Sequence, residues 1–485
     1  MKNSYLTVTD QFCGAGGSSI GATNSGAEVK LAMNHWQLAV ETHNTNFPNV
    51  QHDTADISAV NPRRYPSTNI LITSPECTNH SLAKGKPRRF YANDLFGNVL
   101  IDPSEERSRA TMWDVPRFAE YHDYEIIVVE NVVDAGKWRL WDSWIHAMHA
   151  LGYDHQAVYY NSMFAWPTPQ SRDRLYTVFW KHNNTKPDLD FRPVAHCDNC
   201  EINVEAIQTW KKQKVWGRYK AQYFYRCPVC TREVFPFYYA AFNAIDWTIP
   251  AERIGDRKKP LKPKTIERIK YGLEKYGRTP MVVTGRYTTG IDCRVRDAII
   301  DPFPTQPGDA SHSVVFPWLV ETGYTDDNKN RSSSVIQAGN TQTARQSIGL
   351  VAPSFIAELH GESKAGGVNE PLMCVTAGGG HHGLLSSDAF LSYYYGTQQA
   401  SNITDPIRTI TGKDRAGLVG SLEALTVDDL TFRMLKSNEV GSAMAFPRDY
   451  VVLGTEKERV KQYGNAVTPP AMKLILDRCI TSLNK

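Results

Sequence analysis

Five short apolar runs, spaced along the first 180 residues, constrain this chain more than any other feature of its sequence. TVTDQF (7–12), EVKLAM (28–33), NILITS (69–74), EIIVVE (125–130) and RLYTVFW (174–180) each have the length and residue types of one strand. Segments such as WQLAVETHNTNF (36–47) and WDSWIHAMHALG (141–152) lie between them with helical periodicity. Strands alternating with helices predict an open, mostly parallel sheet with helices on both faces. Ligands of such sheets bind beyond the carboxyl ends of the strands. The glycine turn CGAGGSS (13–19), Cys77 in SPECTNHS (74–81) and Glu130 all fall at such ends.

The chain has 485 residues, enough for two or three domains, and its 41% hydrophobic and 22% charged content is that of an ordinary globular protein. A net charge of +3 does not by itself point to nucleic acid. Basic character is local, in KGKPRR (84–89) and RKKPLKPK (257–264), and short runs of this kind are commonly solvated loops. There is no apolar run of eighteen residues, and MKNSYLTVTD lacks a signal-peptide core, so a cytoplasmic protein with no membrane association is expected.

Nine cysteines, unevenly spaced, do not form a disulfide framework. Four of them fall in two C-x-x-C pairs, Cys197 with Cys200 and Cys227 with Cys230, a pattern that supplies four thiolates to a closed, structural zinc site. His196 is expected to be a bystander. The remaining five, Cys13, Cys77, Cys293, Cys374 and Cys479, read as free thiols.

The chain changes character after about Lys181. A zinc-ribbon insert is expected over 191–250, followed by a helix-like stretch (265–277) and a β-rich region to 429. In that region IDPFPTQPGDASHSVV (300–315), NEPLMCVTAGGGHHGLL (369–385) and TDPIRTITGKDRAGLV (404–419) repeat one pattern, and SSSVIQAGNTQTARQSIGLV (332–351) is a worn copy. Helices are expected again at 430–444 and 458–479, rejoining the first domain, which then comprises 1–190 and 430–485.

Five ordered motifs carry a resemblance: Phe12-x-Gly14-x-Gly16-Gly17, Pro75-Glu76-Cys77, Glu130-Asn131-Val132, Gln170-x-Arg172-x-Arg174 and Gly464-Asn465-Ala466-Val467. Together they resemble the DNA (cytosine-5) methyltransferases, over roughly residues 5–181 and 425–480. The resemblance implies a class I methyltransferase fold, a Rossmann-like sheet, with the β-rich region 251–429 as target recognition domain and duplex DNA as partner. It implies that Cys77 is the thiolate that attacks C6 of a flipped-out cytosine, since C5 is too weak a nucleophile unaided. Glu130 would hold the N3/N4 edge, Arg172 would orient the pyrimidine at O2, and Arg174 would order a loop or a phosphate. The loop from Thr78 to about Asn98 would close over the base.

The same resemblance implies S-adenosylmethionine as methyl donor, lying on Phe12, Cys13, Gly14, Ala15, Gly16 and Gly17. Trp36 would face the adenine, Asp56 beside Ile57 would accept from its amino group, and Asn465 and Val467 would close the pocket. Three residues depart from the pattern around the site, and one of them, Thr78, replaces the usual glutamine. Glu76 stands where the family has proline, and a carboxylate there raises a neighbouring thiol's pKa. His35 stands where the family usually has an acid for the ribose hydroxyls. These departures keep open a catalytically inactive DNA-binding relative, and RNA methylation is a further alternative. A monomer, with a possible cognate restriction endonuclease in a bacterial or phage setting, completes the expectation. The recognition sequence cannot be read from composition.

Overall fold

The computed structural model of the chain describes residues 6–75, 111–239 and 426–483, parts of 241–270, and the backbone alone of residues 103–110 and of short strands within 92–100 and 281–419. Cys77, Cys293 and Cys374, most of the segment 78–98 and most of the 265–277 stretch lie outside the described residues.

Seven strands form the central sheet: β1 (Thr7–Gln11), β2 (Glu28–Asn34), β3 (Gln51–Thr54), β4 (Ile70–Thr73), β5 (Ile126–Val132), β6 (Tyr153–Asn161) and β7 (Asp173–Lys181). Their order is β3-β2-β1-β4-β5-β7-β6. The first five run parallel, and β7 is antiparallel to both β5 and β6. This is the class I methyltransferase sheet, with its order reversing between β1 and β4. Ligand crevices open at that kind of switch point. β4 (ILIT) and the first four residues of β5 (IIVV) are buried throughout, as strands covered on both faces are. The edge strands β3 and β6 escape a hydrophobicity reading for the opposite reason: QHDT has no fully buried residue, and YDHQAVYYN is half-exposed over its first half.

The helices are α1 (Gly17–Asn24), α2 (Gln37–Asn46), α3 (Pro103–His122), α4 (Trp141–Ala150), α5 (Ser437–Ala443), α6 (Glu456–Asn465) and α7 (Pro469–Leu483). One core joins Leu31, Leu71, Ile127, Val129 and Phe179 of the sheet to Met112, Val115 and Phe118 of α3 and Trp144 and Met148 of α4. The C-terminal segment returns to this domain by packing α7 on α1. A Cβ on Gly21 would lie 2.7 Å from the Met472 Cβ, and one on Gly17 only 2.0 Å from the Val467 carbonyl oxygen. Only glycine admits that approach.

Two helical expectations need correction. Residues 430–444 are not one helix: Leu430–Met434 is a strand paired with Ile348–Pro353, and only Ser437–Ala443 is helical. Leu430 and Phe432, two apart, enter one apolar cluster with Ile254 and Ile269, which is strand periodicity. The 458–479 stretch is likewise two helices, with Pro469 at the first position of α7, where its missing N–H costs nothing.

The chain divides into two compact units. The first holds residues up to Tyr239 and from Lys436 onward, and the second holds 240–339 and 347–435. The cysteine-rich insert thus packs as part of the first unit, as a two-stranded pair (Val194–Cys197, Ile202–Glu205) and a three-stranded sheet (Ile207–Trp210, Tyr223–Arg226, Glu233–Val234). In the second unit, four strand triplets share one plan, a first strand flanked by the second and third in antiparallel pairing. The central strands begin at Met281, Trp318, Phe355 and Phe390, a recurrence of 35–37 residues. The stretch read as a worn copy, 332–351, supplies flanking strands of the second triplet.

Candidate active site

Glu130 sits near the end of β5, 8% exposed, and pairs with the Arg174 Nε at 2.9 Å. The pairing follows from register, because Val132 of β5 lies opposite Arg174 of β7, and the two chains run antiparallel. A carboxylate at such a strand end is tolerable because a guanidinium meets it. The next residue, Asn131, faces the other way and donates from Nδ2 to the Pro75 carbonyl at 3.3 Å. Ser74 N–H donates to the Gln11 carbonyl at 3.3 Å. The chain leaving β4 is therefore anchored on both sides, to β1 and to β5, two residues before Cys77.

Arg172 lies elsewhere. It is 3% exposed and donates to the carbonyls of Gly464 (3.2 Å) and Ala466 (3.1 Å). Its backbone N–H donates to the Asn161 Oδ1 at 3.0 Å. Arg174 lies on β7 and Arg172 just before it, and the two meet different partners. Arg172 ties the Gly464–Val467 link to the sheet, and Arg174 meets Glu130. The C-terminal motif is thereby fixed beside α1.

On the β1–β3 side the glycine turn is built for close approach. Phe12 adopts φ +57° and Gly14 φ +53°, and a Cβ on Gly14 would meet nothing nearer than 3.9 Å, leaving open space beside the turn. Gly16, at φ +91°, caps α1, and the Tyr450 hydroxyl donates to the Ala15 carbonyl. Cys13 is buried and donates its N–H to the Met33 carbonyl, while Ala15 is fully buried. Past β2, His35 is exposed and Trp36 starts α2, with the Lys461 ammonium 4.3 Å from its ring centre. Asp56 is exposed and accepts from Ser58 N–H (3.1 Å), Ile57 is buried, and Asn465 is exposed above buried Val467. Phe12, Trp36, Asp56 and Asn465 thus keep exposed or half-buried side chains.

Beneath the turn runs a buried polar chain that the sequence did not signal. Ser18 and Ser19 hydroxyls both donate to Asp10 Oδ2 at 2.6 Å. His43 Nε2 is 2.8 Å from Ser19 Oγ, and His43 Nδ1 is 2.8 Å from His52 Nε2. Burial pushes the Asp10 carboxyl up to about 6, against the lowering effect of both serines. Burial, helped by His52, pushes His43 down to about 3. Asp10 therefore contributes stability that is full below about pH 4 and lost as pH rises through 6. His43 contributes stability that is full above about 6.5 and lost as pH falls toward 3. Between these limits the two slopes oppose. Asp10→Asn is expected to unmask the histidine, making stability fall by about 2 kcal/mol from pH 6 to 4 relative to the parent. His43→Gln should tilt the profile the other way, and urea midpoints across that range measure both.

The second cluster is the cysteine set. The thiol sulfurs of Cys197, Cys200, Cys227 and Cys230 all lie within 4.8 Å of one another. Cys197 and Cys230 sulfurs are 3.5 Å apart and those of Cys200 and Cys227 4.0 Å. Disulfide sulfurs would be about 2.05 Å apart. Four sulfurs bound tetrahedrally at about 2.3 Å sit about 3.8 Å from each other, so the set fits a metal. The two knuckles turn identically, each closing on a left-handed residue just past its second cysteine, Glu201 at φ +55° and Thr231 at φ +62°.

The sequence also resembles known proteins. Residues 6–222 match the family model described as C-5 cytosine-specific DNA methylase. Type II methyltransferase M.HgiDI of Herpetosiphon aurantiacus is 35% identical over 81 residues, 16% of this chain and 26% of its own. Type II methyltransferase M.SsoII of Shigella sonnei is 24% identical over 180 residues, 36% of this chain and 43% of its own. The chain thus spans less than half the length of these two relatives. A mutant of Spodoptera frugiperda DNMT2, whose crystal structure is known, aligns over 98% of this chain and 99% of its own at 13% identity and a TM-score of 0.48. The strand order, the motifs and this match together make residues 6–222 of this chain similar to the C-5 cytosine-specific DNA methylases.

Proposed function

We propose that the chain methylates C5 of a cytosine flipped out of duplex DNA, through a transient bond between the Cys77 sulfur and C6. The observation that carries this reading is the anchoring of Pro75 to Asn131. Two residues span at most about 7 Å, so the chain that leads to Cys77 departs from beside β5, the strand that carries Glu130. The described cysteines outside the knuckles offer no rival. Burial raises the Cys13 thiol well above its ordinary range and pushes Cys479 up to about 12, and both are enclosed.

In this reaction the thiolate adds to C6 and the C5–C6 electron pair becomes available at C5 for the methyl group. The C5 proton then leaves, the sulfur–C6 bond breaks, and the aromatic ring is restored. S-adenosylmethionine supplies an electrophilic methyl group on sulfonium. Phe12, Gly14, Trp36, Asp56 and Asn465 would hold it. Glu130 would bond the N3/N4 edge of the base, and its contact with Arg174 supports that guanidinium, rather than Arg172, as the group that would orient O2. Four thiolates at Cys197, Cys200, Cys227 and Cys230 would hold structural zinc, and the repeated strand triplets of 281–419 would read the DNA sequence.

Transfer of tritiated methyl groups to duplex DNA tests the reading, and bisulfite sequencing of DNA from expressing cells would supply the recognition site. Binding without transfer would mean an inactive relative, and transfer to RNA alone would overturn the substrate. The two arginines should separate cleanly. Arg174→Lys, which keeps a cation beside the buried Glu130 carboxylate but loses the planar fork, is expected to lower kcat about tenfold or more with the melting temperature little changed. Arg172→Ala removes two charged hydrogen bonds to a buried link and should cost on the order of 3 kcal/mol of stability, read by thermal melting.

A further inference from the structure

We propose that the loop Trp216–Gln222 of the cysteine-rich insert is a brace that positions the Glu130–Arg174 pair, so that the insert sets the geometry of the transfer step. The proposal rests on the methyl-transfer reading above. β5 runs directly from Val132 into a 3-10 turn, Val133–Lys137, a conformation with poor internal hydrogen bonding that depends on outside support. The insert supplies that support. Trp216 Nε1–H donates to the Val133 carbonyl at 3.0 Å. The Lys137 ammonium lies 3.4 Å from the centre of the Trp216 ring. Arg218 Nη2 donates to Asp134 Oδ2 at 2.6 Å. Gly136 makes room, since a Cβ there would lie 3.2 Å from Trp216 Cδ1 and 2.4 Å from the Tyr159 hydroxyl.

The same loop reaches the partner strand. Tyr219 N–H donates to Asp173 Oδ1 at 3.0 Å, and Asp173 stands between Arg172 and Arg174. Burial raises the Asp173 carboxyl, and the Tyr219 N–H is the foremost group opposing that rise. One loop therefore grips β5 just past Glu130 and β7 just before Arg174, at the end of the sheet where the two side chains meet. It is itself stiff: Arg218 N–H donates to Gln222 Oε1 and Gln222 N–H to the Arg218 carbonyl, both at 2.9 Å. The Tyr219 and Phe164 rings pack edge to face at 4.9 Å. The insert is also hung on the edge strand, where Gln208 Nε2 donates to the Tyr159 carbonyl at 2.9 Å.

The Arg218–Asp134 pair is partly exposed, 34% and 20%, so breaking it costs little folding stability. A displacement of about 1 Å at the reacting groups, by contrast, can cost about 100-fold in rate. Arg218→Gln and Trp216→Ala are expected to lower kcat about tenfold or more, with donor KM within about twofold of the parent. Amide exchange over 133–137 should speed up by about tenfold, with the melting temperature unchanged in Arg218→Gln. Arg218→Lys should recover part of the rate. Asp190→Asn, which breaks the equally short, exposed Arg192–Asp190 pair (2.6 Å) of the same region, should change neither readout. Unchanged kcat or unchanged exchange over 133–137 in Arg218→Gln overturns the brace. A parent protein without methyl transfer overturns the functional reading instead, and the exchange measurement still decides the brace. If Trp216→Ala does not fold, Arg218→Gln carries the test alone.

Discussion

Cys77→Ser is expected to abolish methyl transfer, a loss of roughly a thousandfold or more, and with it the covalent complex trapped on DNA containing 5-fluorocytosine. A serine hydroxyl stays protonated near neutral pH, whereas a thiol needs only a modest fall in pKa to become a strong nucleophile. The substitution is nearly isosteric, so DNA and donor binding should persist, which separates loss of chemistry from loss of fold. Survival of the trapped complex in Cys77→Ser would move the nucleophile to another residue. Persistence of turnover without any trapped complex would remove the covalent step altogether.

The second large effect is expected at the knuckles. Zinc analysis should find one ion per chain, and Cys200→Ala or chelation should unfold 194–239. Metal binding in small Cys-rich modules is worth on the order of 10 kcal/mol, more than the small two- and three-stranded sheets here gain from burial. Protease sensitivity confined to that region is the measurement. Because the insert packs on β6 and on the turn after β5, transfer should fall together with zinc content, while the buried core of the sheet keeps its amide protection. A Cys200→Ala protein that retains one zinc, resists protease and turns over normally would show that the cluster has no such role.

Much of the site was legible in the chain because its motifs sit where strands end. Apolar runs long enough to be strands place β1, β2, β4, β5 and β7, and the glycine turn, Glu130-Asn131-Val132 and Gln170-x-Arg172-x-Arg174 follow from their position on those strands. The paired C-x-x-C spacing announces four sulfurs that the fold does bring within 4.8 Å of one another. Local pattern was silent on β3 and β6, whose half-exposed faces carry no strong periodicity. It also mistook Leu430–Met434 for helix, since a short apolar run fits either period until a partner strand selects one.

What the sequence by itself determined is the inventory of reactive groups and the sheet that carries them, because burial on both faces writes strands directly into residue type. Only the tertiary structure decided which arginine meets Glu130, that Asn131 holds Pro75, and that a loop of the insert grips both strands at that end. These are contacts between residues 44 to 83 positions apart. They depend on strand register and on how side chains from separate elements fill the same space, and neither is encoded in the neighbourhood of any one residue.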